Sequence, residues 1–160
     1  MTDEQYMKLA IEEARKSEQA GGAPIGAIMV KDDQVFAYGW SMVWPEKDPS
    51  AHAETNCIKA ACKALQTLDL TGCTLYGTCE SCSMCLACGS WSGLSRVVFG
   101  AYKEHLRPNP YEIADYHAEE WANRLTHQNG KKMEIQGGVL EEECIELMKN
   151  IENWTPQNVV

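Results

Sequence analysis

Ser50-Ala-His-Ala-Glu54 and the later Cys79-Glu-Ser-Cys-Ser-Met-Cys-Leu-Ala-Cys88 are the two stretches of this sequence that decide its fold. The first places an imidazole and a carboxylate two residues apart, and the second repeats a thiol at every third position. Histidine nitrogen and cysteine thiolate are common zinc ligands, and a catalytic zinc site uses three protein ligands and leaves a fourth position open. Together the two stretches predict a catalytic zinc site.

The cysteine stretch follows a predicted strand and begins a predicted helix. With Ser81 as the N-cap, Cys82 and Cys85 lie on one face of the first helical turn. The helix dipole and the free backbone N–H groups of that turn favour thiolates, which bind metal readily at neutral pH. Cys82 and Cys85 are therefore two predicted zinc ligands.

The His-x-Glu stretch opens another helix, for which Asp48 or Ser50 can serve as the N-cap. His52, in the first turn, is the third predicted ligand. Glu54 is two residues further on, which is about 200° around a helix. We therefore expect Glu54 to contact a zinc-activated water and to transfer its proton as general base and acid, not to bind the metal.

Length and composition indicate one globular domain over residues 1–160. The formal net charge is −9, from 23 acidic and 14 basic residues, and Arg15-Lys16 and Lys131-Lys132 are isolated basic pairs. Because a nucleic-acid backbone is bound through a local surplus of Lys and Arg, this balance favours a small amine substrate over nucleic acid. We expect no signal peptide and no membrane span, because no apolar run of sufficient length is found, so eight cysteines favour reduced thiols and a cytoplasmic location.

The spacing of apolar residues predicts the order of the elements. Helices are predicted at 3–20, 51–68, 113–125 and 139–151, and strands at 25–30, 35–40, 73–78, 96–100 and 133–135. Residues 31–34 predict a hairpin turn, and residues 41–50, with two prolines, predict a loop. A helix and a hairpin followed by alternating strands and helices predict a three-layer α/β fold.

The remaining cysteines allow two interpretations. Cys57, Cys62, Cys73 and Cys144 fall among apolar residues of predicted elements and are expected to be small core residues. Cys79, Cys82, Cys85 and Cys88, however, also have nearly the spacing of an iron–sulfur ligand run, which would indicate an electron carrier or redox sensor. That alternative gives His52-Ala-Glu54 no role, and packing is the preferred role for Cys79 and Cys88.

At these motifs the sequence resembles the zinc-dependent nucleobase and nucleoside deaminases of the cytidine deaminase-like superfamily, whose signature is H-x-E followed by P-C-x-x-C. The resemblance runs from about Tyr6 to Phe99 and includes Ala23-Pro-Ile-Gly-Ala27 and Leu75-Tyr-Gly-Thr78. It implies a mixed five-stranded sheet with helices on both faces and one Zn²⁺. It also implies hydrolytic removal of an exocyclic amino group and assembly as a homodimer or higher homo-oligomer.

Three branches of that superfamily look nearest: guanine deaminases, cytosine deaminases and tRNA adenosine deaminases. We expect a guanine- or cytosine-like base or nucleoside as the substrate. The acidic balance argues against tRNA, as does the single basic residue, Lys149, in the last helix and tail. Deamination of adenosine in tRNA is the alternative, and a catalytically inactive metal-binding scaffold is a third interpretation.

The predicted substrate contacts are Ile25, Ser41, Trp44, the backbone N–H of Ala53, and Asp115. Ser41 stands where the family has a substrate-holding Asn, and Ser81 replaces the family's Pro before the first zinc-binding cysteine. A hydroxyl cannot replace the bidentate contact of an amide, so we expect an atypical ring. Trp40 and Trp44 are candidates for stacking on it. Glu112 and Asp115 lie where guanine deaminases have acidic contacts, and Asn153-Trp154 resembles the C-terminal lid of cytosine deaminases.

Overall fold

The computed structural model describes residues 1–105, 117–125, 127 and 130–149. The elements in chain order are α1 (Asp3–Gln19), β1 (Gly26–Lys31), β2 (Gln34–Trp40), α2 (Val43–Glu46), α3 (Ala53–Leu65), β3 (Thr74–Cys79), α4 (Ser83–Trp91), β4 (Arg96–Ala101), a 3₁₀ turn (Lys103–His105), α5 (Ala118–Arg124), β5 (Glu134–Gln136) and α6 (Glu141–Lys149). Within this part of the chain, no helix has the length and apolar character needed to cross a membrane.

The five strands form one mixed sheet in the order β2-β1-β3-β4-β5. Strand β1 pairs antiparallel with both β2 and β3, whereas β3, β4 and β5 are mutually parallel. The hairpin between β1 and β2 turns through Asp32 and Asp33, both of which have positive φ. Such a two-residue turn matches the twist of the flanking strands.

Alternate strand residues enter two hydrophobic layers, one on each face of the sheet. Ala27, Leu75 and Val97 pack in the layer under α3, α4 and α5. Their neighbours Ile28, Tyr76 and Val98 pack in the layer under α1 and α6. The predicted three-layer α/β fold with a mixed five-stranded sheet is therefore confirmed.

Two glycines let helices approach the sheet closely. A Cβ added at Gly26 would clash with the backbone of α1 at Ala10 and Ala14. A Cβ at Gly39 would clash with backbone atoms of Ala53 and Cys57 in α3. Gly39 thus fixes the distance between β2 and the first turns of α3.

One edge of the sheet gathers the functional motifs. The parallel strands β3 and β4 end there at Cys79 and Ala101, which are paired in register. The antiparallel neighbour β1 begins at the same edge, where Gly26 donates its N–H to Thr78 Oγ1 at 3.2 Å. Ligands of α/β sheets bind outside the carboxyl ends of parallel strands, so this is the expected place for a site.

Several predicted boundaries are wrong. The predicted loop at 41–50 contains the one-turn helix α2, and the helix predicted at 51–68 spans only Ala53–Leu65. It ends early because Gln66 adopts a left-handed conformation (φ 54°), which closes the helix. The helix predicted at 113–125 is helical from Ala118, and its residues 113–116 lie outside the described part.

Candidate active site

His52 and Cys82 are both N-cap residues, one of α3 and the other of α4. Their backbones are extended, with φ/ψ of −70°/157° and −71°/168°, and neither side chain caps its own helix. The predicted caps at Asp48, Ser50 and Ser81 are therefore wrong, because each helix begins later. The imidazole and the thiol are directed away from their helices, and two helix N-termini meet at one point.

His52, Cys82 and Cys85 lie within metal-binding distance of one another. The Nδ1 atom of His52 is 3.6 Å from Cys82 Sγ and 3.7 Å from Cys85 Sγ, and the two sulfur atoms are 3.4 Å apart. Tetrahedral zinc, with bonds of about 2.0–2.3 Å, requires ligand atoms roughly 3.5–3.8 Å apart. The three side chains therefore fit Zn²⁺, and they are the group of potential ligands that the described residues bring together.

The group of potential metal ligands among the described residues contains those three side chains and excludes Cys79 and Cys88. Cys79 is buried in β3 at 5% exposure, and Cys88 packs against the core layer under α4. An iron–sulfur cluster with four cysteine ligands would need both Cys79 and Cys88 beside Cys82 and Cys85. The structure does not group them in this way, which argues against the iron–sulfur alternative.

The two sulfur atoms have different proton affinities. The hydrogen bond from Cys85, followed by the interaction with His52, lowers the pKa of Cys82 to about 4. The negative sulfur of Cys82 and burial in turn raise the pKa of Cys85 well above its usual value. The lowered pKa favours the thiolate form of Cys82, the form in which cysteine binds metal.

Glu54 has a buried carboxyl group beside this cluster. The residue is 4% exposed, and its Cγ lies 3.8 Å from the position that a Cβ would take at Gly77 in β3. Burial, with a further contribution from the charge of Cys82, raises the pKa of Glu54 to about 7. A carboxyl group with a pKa near the working pH can both accept and return a proton.

Hydrogen bonds fix the start of α3 against the end of β2. The Asn56 side chain donates to the Trp40 carbonyl at 3.0 Å, and the Met42 N–H donates to the Ala51 carbonyl at 2.9 Å. The Thr55 hydroxyl donates to the Ser50 carbonyl at 2.5 Å. These contacts, with the close approach at Gly39, hold His52 and Glu54 at the sheet edge.

The predicted substrate contacts are only partly brought together. Ser41 is 4% exposed and donates its N–H to the Ile25 carbonyl at 3.0 Å, so both residues lie at the sheet edge with Ala53, the first residue of α3. Trp44 is half-buried in α2. Glu112, Asp115 and Asn153-Trp154 lie outside the described residues. Their substrate roles stay predictions.

The ring of Trp40 lies against α1, and its predicted stacking on the substrate stays a prediction. Its ring centroid lies 6.0 Å from Lys16 Nζ in α1, and the ring of Tyr38, two residues earlier, lies 5.8 Å from the same nitrogen. Gly39, between them, faces α3. Strand alternation therefore places Trp40 on the α1 face of the sheet, opposite to the helix that carries His52.

The sequence-based prediction missed Glu80, the residue after β3. Its side chain is 1% exposed and accepts backbone hydrogen bonds from Lys103 and Ala118. A carboxylate directly after an apolar strand and before a ligand cysteine was the available signal, because a buried charge requires partners.

Comparison with known proteins identifies one family. The sequence model of the cytidine and deoxycytidylate deaminase zinc-binding region matches residues 1–101. The chain is 42% identical over 142 residues to the tRNA-specific adenosine deaminase of Bacillus subtilis (strain 168), covering 89% of this chain and 83% of the relative. It is 40% identical over 102 residues to the guanine deaminase of the same organism, covering 63% and 65% of the two chains.

Solved structures show the same fold. A structure from a study of tRNA:A34 deaminases has a TM-score of 0.74 at 30% identity and covers 89% of this chain and 98% of that chain. Guanine deaminase from Nitrosomonas europaea has a TM-score of 0.79 at 25% identity, covering 91% and 82% of the two chains. The relatives thus include deaminases of tRNA and of a free base.

Proposed function

Because the chain belongs to the cytidine and deoxycytidylate deaminase zinc-binding family, whose members are zinc-dependent hydrolytic enzymes, we propose that it removes the exocyclic amino group of a small heteroaromatic base or nucleoside. A guanine- or cytosine-like ring is the expected substrate. The observation that carries this proposal is the cluster of His52, Cys82 and Cys85 with the buried carboxyl group of Glu54 beside it.

In this proposal His52, Cys82 and Cys85 hold the metal. Zn²⁺ held by these three side chains would supply a polarised water molecule with a pKa near neutrality. Glu54 accepts a proton from the attacking water and returns one to the amino group, which leaves as ammonia while the ring gains a carbonyl. Glu54 is 4% exposed, so bulk water is excluded from that transfer.

Substrate contacts belong to the proposal as well. We propose that the backbone N–H of Ala53, the first residue of α3, donates to a ring carbonyl or nitrogen. Ile25 and Ser41 lie at the same sheet edge. Trp44 and Asp115 are proposed to complete the pocket. Assembly as a homodimer or larger oligomer is expected from the family resemblance and stays a prediction.

Adenosine in tRNA is a second candidate substrate, and the relatives favour it. Several tRNA-specific adenosine deaminases align with most of this chain at 30–42% identity. The expectation that nucleic acid is not a partner is therefore weakened by these matches. The net charge of −9 supports the small-molecule substrate.

An ammonia-release screen tests the proposal. The purified zinc-loaded protein is incubated with purine, pyrimidine, pterin and triazine amines and, separately, with a tRNA anticodon stem-loop that contains adenosine. We expect ammonia from at least one small amine and one zinc per chain by elemental analysis. Release from the stem-loop alone would replace the proposed substrate by tRNA, and no release from any compound would refute the enzymatic function.

A further inference from the structure

Glu80 places a buried carboxylate at the edge of the sheet that carries the metal cluster. It directly follows β3 and precedes the ligand Cys82 by two residues. Its backbone N–H donates to the Ala101 carbonyl at 2.9 Å, which fixes the residue to the end of β4. Its side chain is 1% exposed.

Each oxygen of this carboxylate accepts a hydrogen bond from a different segment. The Lys103 N–H donates to Oε2 at 3.0 Å, and the Ala118 N–H donates to Oε1 at 2.7 Å. Lys103 begins the 3₁₀ turn after β4, and Ala118 is the first residue of α5. One side chain therefore joins the chain that leaves β4 to the chain that enters α5.

The hydrogen bonds to Glu80 stabilise its buried carboxylate and join it to the neighbouring segments. A buried carboxylate is strongly unfavourable unless its oxygens are hydrogen-bonded, and here two backbone donors supply these bonds. His117 Nδ1 lies 3.7 Å from Oε1 and adds a third polar neighbour. Ala118 is fully buried in the layer under α3, α4 and α5, and α5 packs against α4, whose N-cap is Cys82.

We propose that Glu80 is a positioning residue of the deaminase site, holding the segment after β4 and the start of α5 against the turn that carries Cys82. This inference rests on the proposed deaminase function. Because both segments lie at the edge where substrates of such sheets bind, their placement sets the shape of the site on the β4 side. Glu80 itself is assigned neither to the metal nor to the reacting atoms.

Two variants of Glu80 test this role in the full-length zinc-loaded protein. In Glu80→Ala both hydrogen bonds are lost. In Glu80→Gln the amide oxygen replaces one acceptor, while the NH₂ group faces the other backbone donor. We expect kcat/KM to fall roughly 10–100-fold in Glu80→Ala, mainly through KM, and by a smaller factor in Glu80→Gln. Zinc content is expected to remain one per chain in both variants.

Amide hydrogen exchange provides a readout that does not need a substrate. Exchange at Lys103 and Ala118 is expected to accelerate in both variants, whereas the amides of β1 keep their protection. Glu104→Ala is the matched control. It removes an acidic side chain from the same 3₁₀ turn, but that side chain is 55% exposed and lies 4.0 Å from His117. It should leave KM and the exchange rates unchanged.

The outcomes separate this inference from the proposed function. A wild-type KM in both Glu80 variants, or a loss confined to kcat, would overturn the positioning role. If the wild-type protein deaminates no compound in the screen, the proposed function fails. The exchange comparison then decides whether Glu80 holds the two segments, and unchanged exchange at Lys103 and Ala118 would overturn that part of the inference. Loss of zinc in Glu80→Gln would also overturn it, because the residue would then support the metal.

Discussion

At the scale of single residues, the proposed division between metal binding and proton transfer rests on helix position. His52 is the N-cap of α3, so its side chain is directed toward the neighbouring helix N-terminus. Glu54 is in the first turn and is buried toward β3 beside Gly77. Two residues of separation thus place an imidazole and a carboxylate at different points of one site.

Glu54→Gln tests the proposed proton transfer. The amide has nearly the shape of the carboxyl group but cannot exchange protons in the working pH range. We therefore expect zinc to stay at one per chain while kcat falls at least 100-fold, the typical contribution of general acid–base catalysis being about 10²–10⁴-fold. The measurements are elemental analysis and steady-state kinetics on an amine found in the screen.

Glu13→Gln is the matched control for that experiment. Glu13 is also a buried acid, 3% exposed, but it lies in α1 and pairs with Lys16. It should retain wild-type kcat even if the protein loses some stability. Equal loss of turnover in the two variants would indicate a general effect of neutralising a buried carboxylate and would contradict the assigned role.

Some residues of the candidate site can be predicted from the sequence and others cannot, for a physical reason. His52, Cys82 and Cys85, which the structure brings together, can be predicted because their chemistry and local spacing are unusual. The proton-transfer role of Glu54 stays a prediction. The position of Glu80 directly after an apolar strand is visible in the sequence, but its contacts are not, because its partners, Lys103 and Ala118, are distant in the chain and donate backbone N–H groups, which have no sequence signature. The helix caps are misassigned because Asp48, Ser50 and Ser81 have the right chemistry, whereas the structure places His52 and Cys82 at the N-cap positions.

At the scale of elements, the site depends on how closely α3 approaches β2. Gly39→Ala would insert a methyl group into backbone atoms of Ala53 and Cys57 and come within 2.8 Å of Cys57 Cβ. Backbone atoms cannot move aside as the end of a flexible side chain can. The added methyl group would therefore force the whole of α3 to shift. We expect a loss of about 1–3 kcal/mol in the free energy of unfolding and weaker zinc retention. Urea unfolding and zinc titration against a chelator measure the two effects.

Gly77→Ala is the control for Gly39→Ala. A Cβ at Gly77 would meet its nearest neighbours at 3.5 and 3.8 Å, which is ordinary van der Waals contact. This variant should keep stability and zinc affinity close to wild type. If Gly39→Ala also behaved like wild type, close packing of α3 on β2 could not be what positions His52.

The first turn of α1 is joined to the sheet by a second network. Arg96 in β4 donates to both oxygens of Asp3, at 3.0 and 2.8 Å, and to Glu134 in β5 at 3.0 Å. The hydrogen bond from Arg96, with a further one from Tyr76, lowers the pKa of the Asp3 carboxyl. A lowered folded-state pKa means that the ionised form stabilises the fold above the unfolded-state pKa of about 3.9.

We therefore expect Asp3→Asn to reduce the free energy of unfolding by about 1 kcal/mol at neutral pH. The difference from wild type should be constant between about pH 5 and 8 and should shrink as the pH falls below about 4. Acid release of zinc affects both proteins and cancels in the comparison. Urea unfolding of both proteins at several pH values measures this difference in the free energy of unfolding. A difference that does not shrink as the pH falls below about 4 would contradict the assignment. Glu146→Gln, at an exposed pair with Lys149, should change stability little.

Element types are predicted better than element ends. Successive residues of each strand point to opposite faces of the sheet, where the two buried layers lie. Because this pattern is local, each of the five strands is predicted within two residues of its observed bounds. Helix α2 is missed because a single turn that contains Pro45 leaves no periodic pattern. The side of the sheet occupied by Trp40 depends on which face α3 covers, and that is a property of the assembled fold.

At the scale of the whole molecule, charge distinguishes the two candidate substrates. A net charge of −9 on 160 residues disfavours a polyanion unless basic groups are concentrated at the site. Among the described residues, the acidic α6 has three glutamates in its first turn, and Lys149 is the basic residue of its last turn. The charge balance alone therefore favours an uncharged ring over a phosphate backbone.

This charge balance leads to a prediction about salt. A neutral base or nucleoside releases no condensed counterions when it binds, so kcat/KM for an amine found in the screen should change less than about twofold between 50 and 300 mM KCl. A tRNA anticodon stem-loop should not compete with that amine at low micromolar concentration. Because each phosphate contact adds roughly 0.7–0.9 to the slope of log affinity against log salt concentration, competition with a slope steeper than about −2 would reveal several contacts. That result would assign the substrate to RNA and show that basic groups outweigh the net charge locally.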